Sequence, residues 1–128
     1  MDEMKSLKLA VVGTGFWGRN HVRVFNELPE TEVVAVCDTD PERARAVAEE
    51  YGIKFYTDSQ IMFKRENIDA VTICVWSANL AEEAVKALKA GKHLLVEKPM
   101  ASSSSEARRI LELAKEKERR LAVGFIER

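Results

Sequence analysis

The chain has 128 residues, enough for one domain that buries roughly 65–70% of the surface its unfolded form exposes. Hydrophobic residues make up 46% of it and charged residues 32%, and the formal net charge of −1 leaves no basic excess of the kind that nucleic-acid binding draws on. The longest apolar runs fall far short of the ~20 residues of a membrane span. The start Met1-Asp2-Glu3-Met4-Lys5 is too polar for a signal peptide, so the reading is a cytoplasmic protein with neither nucleic acid nor membrane as partner.

In chain order, Leu7 to Val12 predicts a buried strand that stops at a glycine. Phe16 to Leu28 predicts a helix, with Phe16, Val22, Phe25 and Leu28 on its inner face and Pro29 after it. Glu32 to Cys37 is the second strand. Asp40 then caps a helix with Pro41 at its first position, running to Tyr51-Gly52. Ile53 to Tyr56 makes a short third strand, and Asp58-Ser59 opens a brief helix through Phe63. Asp69 to Val75 is the fourth strand, Ala78 to Ala90 a helix ended by Gly91, and His93 to Glu97 the fifth strand. Ser103 to Glu118 is a charged helix with Ser103 and Glu106 at capping-box spacing, and Leu121 to Ile126 is the sixth strand.

Strands that read as continuous apolar runs, each separated by a helix, imply a parallel sheet covered on both faces. Right-handed crossovers give an α/β doubly wound fold with strand order 3-2-1-4-5-6 across residues 1–128. Cys37 and Cys74 both lie inside apolar runs and read as buried, reduced thiols. His21 and His93 do not cluster with them, so no metal is expected. The last helix mixes both charge signs within each turn, as a solvated face does.

The run Gly13-Thr14-Gly15-Phe16-Trp17-Gly18 follows the first strand directly and opens the first helix. In that setting Gly13 permits the tight turn, Gly15 lets backbone approach a pyrophosphate, and Gly18 lets helix pack on strand. The helix N-terminus then meets the phosphate charge. An acid should end the second strand about 20 residues on, and Asp38 stands there. A carboxylate accepts ribose hydroxyls and repels a 2′-phosphate, so NAD is the expected cofactor. Thr39 and Arg43 lie close enough to keep NADP as the alternative.

The run Ala90-Gly91-Lys92-His93-Leu94-Leu95-Val96-Glu97-Lys98-Pro99-Met100 resembles the "AGKHVLVEKP" signature of the Gfo/Idh/MocA oxidoreductase family. Val36-Cys37-Asp38 and Val123-Gly124-Phe125 are similar to that family's other marks, and the resemblance covers nearly the whole chain. It implies that Lys98 sits by the nicotinamide and the substrate hydroxyl and assists proton transfer, with Glu97 beside it and Pro99 holding the strand end extended, a bond often cis in the family. It also implies that Val75 and Trp76 lie beside the nicotinamide ribose.

Two departures stand out. After the fourth strand the family reads "TP" and then, after three intervening residues, a histidine. Here Trp76 takes the proline's place and Leu80 the histidine's. Family members are also much longer, with a second domain that forms the substrate pocket and supplies a histidine that neither His21 nor His93 matches. The chain is therefore expected to be the cofactor half, with the C-terminal substrate domain absent from it.

The ending Gly124-Phe125-Ile126-Glu127-Arg128 is similar to members that oxidise nucleotide-linked amino sugars at C3. Two functions follow from these readings. One is a dehydrogenase moving hydride between the nicotinamide and a sugar or nucleotide-sugar hydroxyl, with a homo-oligomer compatible with it. The other is a stand-alone NAD-binding module, a redox sensor or a subunit of a separately encoded enzyme.

Overall fold

Apolar runs become strands here wherever capped helices separate them. In chain order the elements are β1 (Leu7–Val12), α1 (Phe16–Glu27), β2 (Thr31–Cys37), α2 (Pro41–Tyr51), β3 (Lys54–Tyr56), α3 (Ser59–Arg65), β4 (Ala70–Ile73), α4 (Ser77–Lys89), β5 (His93–Glu97), α5 (Ser104–Glu116) and β6 (Leu121–Gly124). The computed structural model describes residues 6–75, 77–97 and 104–124. All strand pairs are parallel, in the order β3-β2-β1-β4-β5-β6, which is the doubly wound order expected.

Helix starts follow local chemistry. Asp40 accepts from the Glu42 and Arg43 amides ahead of Pro41, and Asp58 accepts from those of Gln60 and Ile61. Several boundaries differ from expectation. α3 continues to Arg65, and α5 stops at Glu116 because Glu118 turns to a φ of 55°. β4 is shorter than its apolar run. Beyond Ile73 the backbone leaves the ladder, and Cys74 lies against the loop after β1. Ser103, the expected cap of α5, and residues 125 and 126 lie outside the described residues.

Each face of the sheet carries its own apolar cluster. Val11, Val33 and Val36 pack with Val22 of α1 and with Val47 and Ala48 of α2. Ala10, Val12, Ala35, Val71, Ile73 and Val96 pack on the other face against Met62, Leu80, Leu88 and Ile110 of α3, α4 and α5. Burying a valine or leucine side chain fully is worth about 1.5–3 kcal/mol, so these layers hold the helices in place. Both β1 and β2 serve the two clusters by alternation, and in β2 a bulge shifts it. Leu9 pairs with Val33 and Ala10 with Ala35, so Val34 is skipped and the alternation shifts.

The inner face of α1 differs from the expected one. Phe16 is 77% exposed and Leu28 is 41% exposed, beyond the helix end. The buried positions are Gly18, His21 and Val22, with Phe25 half-buried. Their spacing is helical, but a glycine and a histidine carry no apolar signal. His21 is buried because Nδ1 and Thr72 Oγ1 of β4 share a 2.9 Å hydrogen bond, and its ring meets Phe25 edge-on.

Candidate functional site

The strand order reverses between β1 and β4, which is where sheets of this kind bind ligands, beyond the C-terminal ends of the strands. The loop after β1 is held by backbone bonds on both sides. The Gly13 N–H donates to Cys37 O at 2.7 Å, and the Cys74 N–H donates to Val12 O at 2.7 Å. Gly13 has a φ of +96°, and a Cβ on it would lie 2.4 Å from Cys74 O. No other residue fits that turn. A Cβ on Gly18 would lie 1.7 Å from Gly13 O, so α1 rests directly on the loop.

Gly15 is different. Its φ is −73°, and a Cβ there would meet nothing within 4 Å. It is the N-cap of α1 and supplies no side-chain cap to the first-turn amides, which leaves that helix end suited to an anion. Glycine is thus needed at positions 13 and 18 by the protein itself. At position 15 the fold tolerates a side chain, so nothing in the protein itself requires glycine there, and the loop backbone is open to approach from outside. The loop therefore fits the diphosphate of a dinucleotide.

Asp38 follows β2 and is 9% exposed. Its Oδ2 accepts from both the amide and the hydroxyl of Thr14, each at 2.8 Å, and Oδ1 accepts from the Asp40 amide at 2.9 Å. Arg43 Nε stands 3.4 Å from Oδ2, and its Nη2 lies 3.9 Å from Asp40 Oδ2. Burial by itself would raise the acid's pKa. The amides of Asp40 and Thr14, the Thr14 hydroxyl and the Arg43 guanidinium outweigh it and hold the carboxyl below its usual range. Asp38 is thus a fixed negative charge at the rim of the loop.

The other expected site residues fall as follows. Thr14 is fully buried and turned toward Asp38. Phe16 and Thr39 are exposed, Arg43 is half-exposed beside the acid, and Val75 is half-buried, its Cγ1 3.0 Å from where a Gly13 Cβ would be. Trp17 lies in the first turn of α1 and Glu97 ends β5, paired with Gly124; their side chains lie outside what is described. Trp76, Lys98 and Pro99 also lie outside the described residues.

Cys74 is half-buried rather than buried, because it stands beyond the last paired residue of β4. Cys37 is buried, and burial together with the nearby Glu83, Asp38 and Asp58 charges pushes its thiol up to about 12. Among the described residues no group of three His, Cys, Asp or Glu side chains is placed to hold a metal ion. No helix among them is long and apolar enough to cross a membrane.

Sequence reasoning missed two features. The Thr14–Asp38 bonds join residues 24 apart, which no local pattern reveals. The His21–Thr72 bond ties α1 to β4 beneath the loop, and its sole trace in the sequence is a histidine one turn after Gly18.

The sequence model of the Gfo/Idh/MocA oxidoreductase family, NAD-binding Rossmann fold, matches residues 7–125. An inositol 2-dehydrogenase of Pseudomonas savastanoi pv. phaseolicola is 36% identical over 125 residues, covering 94% of this chain and 37% of the relative. The structure of GenD2 from gentamicin A biosynthesis in complex with NAD superposes with a TM-score of 0.91 at 29% identity, over 96% of this chain and 36% of that one. The WlbA dehydrogenase of Bordetella pertussis, in complex with NADH and UDP-GlcNAcA, superposes with a TM-score of 0.90 at 27% identity, over 94% of this chain and 37% of that one. The chain thus spans a little over a third of the length of these proteins. It belongs to the Gfo/Idh/MocA oxidoreductase family, as an NAD-binding Rossmann domain.

Proposed function

We propose, with membership of this oxidoreductase family as the premise, that residues 1–128 are the dinucleotide-binding part of a dehydrogenase. Its reaction moves hydride between NAD and a hydroxyl of a sugar, polyol or nucleotide sugar. The observation that carries the reading is the loop itself. Gly13 and Gly18 are required by their own backbone surroundings, Gly15 faces open space at the start of α1, and Asp38 is held by the Thr14 of the same loop. The substrate class is supported by a relative named for inositol and by a neighbour that holds UDP-GlcNAcA with NADH.

In this reading the α1 N-terminus and the Gly15 backbone bind the pyrophosphate. Asp38 accepts a ribose hydroxyl, with Thr39 and Arg43 flanking the adenosine. Val75 and Trp76 lie beside the nicotinamide ribose. NAD, when bound, supplies the hydride acceptor. Lys98 is the proton-handling residue, and as a neutral amine it takes the hydroxyl proton as the carbon is oxidised. An amine can do so near neutral pH where burial lowers its pKa. A second domain, outside this chain, supplies the substrate pocket. A reducing, cytoplasmic setting suits the buried Cys37 thiol.

The test is calorimetric titration of the purified chain with NAD, NADH, NADP and NADPH. Binding of NAD or NADH without added metal is expected, and absence of binding by all four would refute the reading.

A further inference from the structure

An ionised carboxylate has about four places to accept hydrogen bonds. On Asp38 two are taken at Oδ2 by Thr14, through its amide and its hydroxyl, and one at Oδ1 by the Asp40 amide. Arg43 sits on the Oδ2 side as well and is shared with Asp40, so its guanidinium is already engaged between two acids. What Asp38 can still offer a ligand is one acceptor position, on Oδ1. Thr14 is fully buried and its hydroxyl is spent on the acid, so it acts on a ligand through Asp38.

We infer that Thr14 is a specificity-determining positioning residue, which locks Asp38 through Oδ2 so that the acid accepts a single ribose hydroxyl and excludes a 2′-phosphate. The inference rests on the dinucleotide-binding reading of this loop. Its physical content is orientation. The Thr14 amide and hydroxyl hold Oδ2 and the Asp40 amide holds Oδ1, so the hydroxyl is the one side-chain hydrogen-bond donor that fixes the carboxylate's tilt, and without it the remaining amides hold an acid that is less firmly oriented and less acidic. A hydrogen bond to a charged group is worth enough to change a binding ratio by about tenfold when lost.

Thr14→Val keeps the side-chain shape and the amide while removing the hydroxyl. Thr14→Ser keeps the hydroxyl. The affinity ratio of NADH to NADPH is expected to fall about tenfold in Thr14→Val and to stay within about twofold of the parent in Thr14→Ser. A ligand-free readout accompanies it. With the hydroxyl gone, the Asp38 carboxyl is held down less, so Thr14→Val should lose less stability than the parent between pH 7 and pH 3.

An unchanged ratio in Thr14→Val would overturn the inference. Equal weakening of NADH and NADPH would also overturn it, because Thr14 would then merely support the loop. If Thr14→Val fails to fold, Thr14→Ser decides, since a ratio shifted as in a released acid would show that the hydroxyl is not what sets it. A parent chain that binds neither cofactor would remove the dinucleotide reading itself, and with it this inference. A parent that binds NADH while the ratio ignores Thr14 would remove the inference alone.

Discussion

The sharpest perturbation of the site is Gly15→Val, because the cost to the fold and the cost to binding separate cleanly. At this position φ is −73°, open to any residue, and a Cβ meets nothing within 4 Å. The fold should therefore lose only the difference between glycine and a β-branched residue at an N-cap, on the order of 1 kcal/mol. For a domain of this size that is a Tm decrease of roughly 4 °C. Binding faces a much larger cost. The valine methyls occupy the space through which phosphate oxygens must come within about 3 Å of the helix amides. Losing two charge-assisted hydrogen bonds at about 1.5–3 kcal/mol each amounts to roughly 3–6 kcal/mol, or about 100-fold to 10,000-fold in affinity. Paired measurements of thermal unfolding and NADH titration check both halves. A variant that unfolds near the parent's Tm and binds NADH within threefold of it would refute the assignment of the pyrophosphate to this loop.

Gly18→Ala should behave in the opposite way, because its Cβ would lie 1.7 Å from Gly13 O and loop and helix must part to admit it. A stability loss of about 3 kcal/mol or more is expected in chemical denaturation, and a loss under 1 kcal/mol would contradict the packing described. Asp38 has a folded pKa below its ordinary 3.8, so its contribution to stability is present above that value and is lost as pH falls through the folded pKa. Asp38→Asn should therefore flatten the loss of stability between pH 7 and pH 3, as followed by unfolding at each pH. Asp38→Ala combined with Thr39→Arg should move the preference toward NADPH by more than tenfold in competitive titration. It should also cost about 1–3 kcal/mol of stability, because the buried Thr14 amide and hydroxyl lose their acceptor. Unchanged cofactor preference would show that Asp38 does not read the ribose.

Much of this protein is decided locally and is legible in the chain. Periodicity and caps place the helices, since Asp40, Pro41 and Asp58 act on amides two or three residues away. Continuous apolar runs separated by helices leave a parallel, doubly wound sheet as the arrangement that buries them all. The glycine loop and its acid are legible too, because both stand at fixed distances from strand ends.

Tertiary structure decided what depends on neighbours distant in sequence. The inner face of α1 is set by what lies beneath it, so His21 goes inside on Thr72 while Phe16, at the helix start beyond the sheet edge, remains exposed. β4 ends early because Cys74 must meet Gly13. The three glycines look alike in sequence. Their places in the motif give them separate jobs, and the fold supplies the contacts: Gly13 and Gly18 pack against backbone carbonyls, whereas Gly15 faces open space. Asp38 is a strand-end acid in sequence, and its charge is fixed by the Asp40 amide two residues on together with Thr14, 24 residues earlier. Hydrogen bonds of that range have no period and no motif, and they form only after the sheet has brought β1 and β2 side by side.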